Sequence, residues 1–229
     1  MADIVEDVAI AHGYDNITKT LPKTNTTGEQ YEINKVTDLM RHEIAQAGFT
    51  ECLSFILCST DDVSKKLRKD IATVPAVHIT NPKAIEFQVV RTTLLSGILK
   101  TISSNKNMPL PLKLFEISDV VHRTSKSDVG AKNERRFCAV NYNKLAGFEI
   151  VHGLLDRFMQ LAEVKYSKDG TGYYIRGAED STYFPGHCAE VVYREKVVGM
   201  VGVLHPEVLA NFDLNLPAAA LELNLEAFL

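Results

Sequence analysis

The chain has 229 residues, of which 45% are apolar and 24% charged, so it has enough material for a sizeable core and the composition of a globular protein. Its formal net charge of -4 argues against a protein whose affinity comes from neutralising phosphates, because such proteins carry a basic face. The acidic N-terminus is not a secretory signal and no apolar run approaches the length of a membrane span, which points to a cytoplasmic protein without a membrane partner.

In chain order, residues 3–12 predict a short helix closed by Gly13, and the polar, Pro- and Thr-containing stretch 18–29 predicts a linker. Ile33, Val36, Leu39, Met40, Ile44 and Ala47 form one apolar stripe, so Ile33–Ala47 predicts a helix that Gly48 stops. Phe49–Leu57 predicts a strand, Asp61–Lys69 a surface helix capped by Ser59, Thr60 or Asp61, and Ala76–Thr80 a strand before the Asn81-Pro82 turn. The basic run Lys65-Lys66-Leu67-Arg68-Lys69 is expected to be a solvated helix face.

Thr92–Asn105 predicts a helix, and Met108-Pro109-Leu110-Pro111 a loop. Leu112–His122 and Arg136–Tyr142 are expected as strands joined by a polar connection at Arg123–Asn133, and Phe148–Val164 as a long amphipathic helix. Strands are expected at 173–178, 187–193, 196–204 and 219–228, with a short helix at 206–212. Consecutive strands without βαβ alternation point to an α+β fold with an antiparallel sheet. The four cysteines show no metal-ligand spacing and read as reduced, mostly buried thiols. The seven histidines show no ligand spacing either, and no Ser-His-Asp or Cys-His arrangement emerges.

Three stretches stand out: Asn81 to Val121 with Arg91-Thr92-Thr93-Leu94-Leu95 opening a helix, Phe184 to Glu190, and Val198 to Pro206. In this set and order the chain closely resembles the C-terminal catalytic-like module of the phenylalanyl-tRNA synthetase beta subunit family, in its eukaryotic cytosolic form. The resemblance covers essentially the whole chain. It implies a class II aminoacyl-tRNA synthetase-like antiparallel sheet flanked by helices, in a module that performs no chemistry itself. It also implies an alpha partner subunit bearing the active site in an alpha2-beta2 heterotetramer, with ATP, phenylalanine and tRNA(Phe) as ligands of that complex. Under this reading residues 1–17 are the end of a preceding magnesium-binding domain, 18–30 a linker and 31–229 the catalytic-like core.

Asp3, Glu6 and Asp7 fall on one helix face at i, i+3 and i+4. Such oxygens suit magnesium, while acids in a first helical turn also simply complement the helix dipole. The resemblance assigns them to the magnesium site of the full-length protein, expected to be incomplete in this chain.

Class II catalysis needs cations on the ATP phosphates. Where the family's catalytic members carry an arginine and a glutamate two residues apart on a strand, this chain has His122 and Thr124; shifting the frame restores Arg123 but puts Ser125 at the acidic place. The glycine-rich strand Gly199 to Pro206 is followed by no arginine. Arg91 could reach an anion at the helix start, or form a structural ion pair or interface contact while Thr92 or Thr93 caps the helix. The expected function is therefore a non-catalytic module that packs against the alpha subunit, with Ile33–Ala47 and the chain around Phe49–Phe55 as its contact surface. The rival readings are an active ATP-dependent class II synthetase paralogue and a standalone RNA-binding or regulatory module.

Overall fold

The computed structural model describes residues 1–21, 23–24 and 28–229; Pro22 and residues 25–27 of the expected linker lie outside the described residues. Two compact units divide the chain, Met1–Tyr31 and Glu32–Leu229. In the first, helix α1 (Ala2–His12) buries none of its residues and ends on Gly13. Gly13 adopts φ 85°, which costs glycine little, and its N–H donates to the carbonyls of Ala9 and Ile10. A 3-10 turn at Tyr14–Asn16 follows.

The larger unit is built on one seven-stranded sheet. Its strands are β1 (Thr50–Glu51), β4 (Leu112–Arg123), β5 (Ala131–Tyr142), β6 (Tyr173–Gly177), β7 (Tyr183–Tyr193), β8 (Lys196–Leu204) and β9 (Ala218–Asn224), in the order β1-β4-β5-β9-β8-β7-β6. The six strands from β4 to β6 pair antiparallel, but β1 runs parallel to β4. The sheet is therefore mixed, a correction to the fully antiparallel expectation. The fold is α+β.

Strand alternation divides two cores. Phe137, Ala139, Leu221 and Leu223 face a layer containing α2 (Glu32–Gln46) and α5 (Phe148–Leu161). Cys138, Val140, Ala218 and Ala220 face the opposite layer, with α4 (Leu95–Ser104) and α6 (Pro206–Asn211). On α2 the buried residues are Thr37, Met40 and Ile44, with Ile33, Val36 and Ala47 packed at the margin of the same core; Leu39 points to solvent. On α5 Val151, Leu154, Leu155, Phe158 and Met159 are buried, and the ring of Phe158 stacks on Phe137 at 5.5 Å.

Several expectations are corrected here. Phe49–Leu57 is not one strand: the chain leaves the main sheet after Glu51, and β2 (Leu57–Cys58) pairs instead with β3 (Val89–Val90) in a separate two-stranded ribbon. The intervening Leu53 and Phe55 are 74% and 85% exposed, so this apolar run never meets a core that would keep it flat on the sheet. At Ala76–Thr80 only an isolated bridge forms, His78 to Val89.

The Asp61–Lys69 helix shrinks to α3 (Thr60–Val63) and a 3-10 turn at Lys65–Leu67, and Ser59 supplies the cap through a reciprocal capping box with Asp62. Its basic run is not a free solvated face, because Lys66 pairs with Asp62, Arg68 with Glu207 and Lys69 with Asp180. The connection expected at Arg123–Asn133 is largely strand, since β4 and β5 form a hairpin paired from Leu112↔Tyr142 to Arg123↔Ala131. Strand β9 ends at Asn224, and Leu225–Phe228 is a 3-10 turn.

Candidate functional site

On the α4 side of the sheet lies a cavity of about 390 Å³, lined by residues of β4, β5, β7, β8 and β9 and by the approach to α4. Its floor follows from alternation along β9: Ala218, Ala220 and Glu222 fall on one face, so the strand that supplies small apolar residues to the α4 core also sends a carboxylate there. Glu222 is 9% exposed and fully engaged. Its Oε2 accepts from the Thr93 hydroxyl at 2.5 Å, and its Oε1 accepts from the Leu94 N–H at 3.2 Å and from Arg136 Nη1 at 3.4 Å. Arg136, from β5, also donates through Nε to Glu134 at 2.8 Å. Burial disfavours its charge, but the adjacent Glu222 and Glu134 carboxylates override that and hold the guanidinium protonated.

The second cation of the cavity, Lys69, pairs with Asp180 at 3.1 Å. The carboxyl of Asp180 is pushed up by burial, yet Lys69 and the Thr182 hydrogen bonds bring it below the usual range. Thus both cations lining the cavity are already matched to carboxylates. An incoming phosphate would have to displace a carboxylate from Arg136, and it would face Asp180 and Glu222 as it entered.

The glycines of β8 are steric necessities. A Cβ on Gly199 would collide with the Glu222 carbonyl, and one on Gly202 would lie 2.7 Å from the His187 carbonyl oxygen and 2.8 Å from the Tyr183 ring. They permit close packing of β8 against β9 and β7 rather than forming a phosphate loop.

Arg91 is withdrawn from the anion role. It is 4% exposed and donates through Nη1 to Glu116 Oε1 at 2.7 Å and to the Ser54 carbonyl and hydroxyl, and through Nε to the Asp119 carbonyl. Ser54 in turn donates to Glu116 Oε2 at 2.6 Å, so the buried pair is closed by hydrogen bonds on both partners. The helix cap differs from expectation: neither Thr92 nor Thr93 is the capping residue of α4, although Thr93 Oγ1 accepts from the Leu95 N–H at 3.1 Å. The first turn hangs on Glu222, 128 residues away in sequence from Leu94. His122 lies on β4, with Nε2 3.1 Å from the Thr92 carbonyl oxygen.

Asp3, Glu6 and Asp7 all lie on α1 and are exposed to solvent. Among the described residues no group of three or more His, Cys, Asp or Glu side chains is placed to hold a metal ion. The four cysteines are free. Burial, aided by Glu116, pushes the Cys52 thiol up to about 12, and burial with Asp62 pushes Cys58 up to about 11, so neither offers a thiolate near neutrality. No helix is long and apolar enough to cross a membrane among the described residues.

Glu222, Arg136 and Glu116 were not anticipated from the sequence. The available signal was a single acid inside an otherwise apolar strand run, in Ala218-Ala219-Ala220-Leu221-Glu222-Leu223 and in Leu114-Phe115-Glu116-Ile117. Such an acid must face a partner once it is buried.

Residues 17–225 match the family described as the phenylalanyl tRNA synthetase beta chain CLM domain. The chain is 58% identical over 227 residues to the phenylalanine–tRNA ligase beta subunit of Homo sapiens, with 99% of this chain and 38% of that protein aligned. For the subunit of the same name from Drosophila melanogaster the identity is 59% over 228 residues, covering 99% and 39%. For that of Saccharomyces cerevisiae it is 43% over 243 residues, covering 99% and 41%. The chain thus spans about two fifths of the length of these relatives. A match running through every strand of the sheet identifies the chain as a member of the phenylalanyl tRNA synthetase beta chain CLM domain family.

Proposed function

We propose that this chain is a non-catalytic, class II synthetase-like module of a phenylalanine–tRNA ligase beta subunit. It packs against an alpha catalytic subunit and so supports ATP-dependent attachment of phenylalanine to tRNA(Phe) by a cytoplasmic alpha2-beta2 complex. Six antiparallel strands with one parallel strand at the edge support the class II-like architecture.

The observation that carries the non-catalytic reading is the cavity on the sheet. Arg136 is consumed by Glu134 and Glu222, Lys69 by Asp180, and His122 and Thr124 stand where an arginine and a glutamate would be needed. Stabilising charge on a transferring phosphate requires cations that are free to meet it. Phenylalanine-dependent pyrophosphate–ATP exchange by the purified chain tests this: the expected rate equals background, and exchange above background overturns the proposal.

The alpha-facing surface is best supported around Leu53, Phe55 and Ile56, which are 74%, 85% and 48% exposed beside a groove of about 400 Å³. Magnesium belongs, in this reading, to the full-length protein. Asp3, Glu6 and Asp7 on an exposed helix lack the further fixed oxygens that a magnesium site requires, so the residues present do not fit the ion unaided. No step of the proposed role runs through it.

A further inference from the structure

Asp169-Gly170 is the one place in the sequence where a glycine follows an aspartate or an asparagine. It lies in the loop between α5 and β6, and Asp169 is exposed. The loop is anchored at its two ends: the Ser167 N–H donates to the Tyr173 carbonyl at 2.9 Å, and the Tyr173 N–H to the Lys165 carbonyl at 3.0 Å. Gly170 adopts φ 87°, and a Cβ there would lie 3.0 Å from Glu195 Oε1, so both backbone and space favour glycine. Among the described residues no protein group accepts from the Gly170 N–H.

A peptide nitrogen that follows an aspartate can attack the side-chain carboxyl carbon, and a glycine presents that nitrogen with no side chain in the way. The neutral carboxyl is the electrophile, because an ionised one has no good leaving group. The fold opposes this step. Asp169 Oδ1 accepts from the Thr171 N–H at 2.9 Å and from the Thr171 hydroxyl at 2.6 Å. Hydrogen bonding by Ser167 and Thr171 lowers the carboxyl to about 2, so it stays ionised near neutrality. The loop thus holds a reactive pair together with a restraint on it.

We propose that Asp169-Gly170 is a self-modification site that closes to a succinimide and reopens to isoaspartate, with Thr171 as the residue that restrains it. In the first step the Gly170 nitrogen bonds to Asp169 Cγ, the Cγ–OH bond breaks, and the hydroxyl leaves with the N–H proton as water. Water then adds to the ring carbonyl that was the Asp169 backbone carbonyl, the bond from that carbon to the Gly170 nitrogen breaks, and the nitrogen regains a proton. The water lost is returned, so the net change is an isomerisation. The product carries one more backbone methylene and a free α-carboxyl, which dismantles the Asp169–Thr171 turn between the two anchors of the loop. This site is independent of the synthetase role.

The test is prolonged incubation of the whole folded chain near neutral pH, read by peptide mapping and by methyl transfer from S-adenosylmethionine with an isoaspartyl methyltransferase. The parent chain is expected to accumulate an isoaspartyl peptide of unchanged mass spanning Asp169-Gly170, and Asp169→Glu, which would need a larger ring, none. Thr171→Val removes the hydroxyl bond and should speed the reaction about tenfold, the change in neutral carboxyl that one pH unit brings. In urea, where the turn is lost, the parent and Thr171→Val should react at equal rates. Absence of the isoaspartyl peptide from both folded chains would overturn the site. Equal rates in the folded chains, or unequal rates in urea, would overturn the restraint by Thr171.

Discussion

Glu222 joins three parts of the fold through one carboxylate: the start of α4 at Thr93 and Leu94, strand β5 at Arg136, and its own strand β9. Glu222→Ala would leave a buried N–H, a hydroxyl and half of a guanidinium without their acceptor. Breaking such a buried network from one side costs about 3–5 kcal/mol. At about 2–4 °C per kcal/mol for a domain of this size, the melting temperature should fall by roughly 10 °C in a calorimetric scan. Arg91 and Glu116 allow a sharper comparison, since both are buried and each is the other's counter-ion. Arg91→Met alone strands a carboxylate of zero exposure, whereas adding Glu116→Leu removes the stranded charge, so the double variant should be more stable than the single. A double variant less stable than Arg91→Met would show that packing and not charge governs the site.

Asp62 carries a pH signature. Burial pushes its carboxyl up, but hydrogen bonds from Lys66, Lys100 and Ser59 hold it at about 2, below the value of about 3.9 expected in an unfolded chain. Because the folded value is the lower one, ionised Asp62 stabilises the fold above pH 4, and this contribution is lost as pH falls from about 4 towards 2. The stability gap between the parent chain and Asp62→Asn, measured by urea melts, should be constant from pH 5 to 7 and close over that acid window.

At the scale of elements, helix α2 shows how far periodicity reaches. The stripe Ile33, Val36, Met40, Ile44 and Ala47 does meet the sheet, but Leu39, which shared the apolar pattern, is 59% exposed. Met40→Glu should therefore lower the melting temperature by several degrees, because it forces an unpaired charge into the core, while Leu39→Glu should leave it nearly unchanged. Comparable shifts in both would contradict the orientation of this helix.

The helices other than Asp61–Lys69, and the places of the four strands after α5, were legible because their apolar spacing and turn residues agree with where they pack. The β4–β5 hairpin was half legible. Arg123–Asn133 is polar and read as a connection, with the returning strand starting only at Arg136, yet in the sheet β5 begins at Ala131 and Arg135 bonds Asp119 across the hairpin and Thr37 of α2, so cross-strand pairing outweighs low strand propensity. Phe49–Leu57 failed for the opposite reason. An apolar run reports only that water is unfavourable around it, and Leu53 and Phe55 remain at the surface. The cavity was largely illegible, because Thr93, Arg136 and Glu222 meet only through long-range register, which no local pattern encodes.

At the scale of the whole molecule, the proposed role as a part held by an alpha subunit rests on the exposed Leu53, Phe55 and Ile56 and on the pairing of Arg136 and Lys69 in the cavity. Co-expression with an alpha subunit and sizing should yield one complex, and Phe55→Asp should abolish it while circular dichroism melts stay unchanged. Retention of the complex in both Phe55→Asp and Leu39→Glu would remove both surfaces from the interface.

The tether from β9 to α4 also sets a barrier to any gain of phosphate binding in the cavity. Freeing Arg136 for an anion requires losing Glu222, and the same loss unties the first turn of α4 at Leu94. A single substitution cannot separate the two effects, so a charge clamp on phosphate could be installed only together with a new acceptor for that helix start. Laboratory evolution selecting for nucleotide affinity should accordingly enrich paired changes, one at residue 222 and a compensating acceptor near Thr93, and never the first alone.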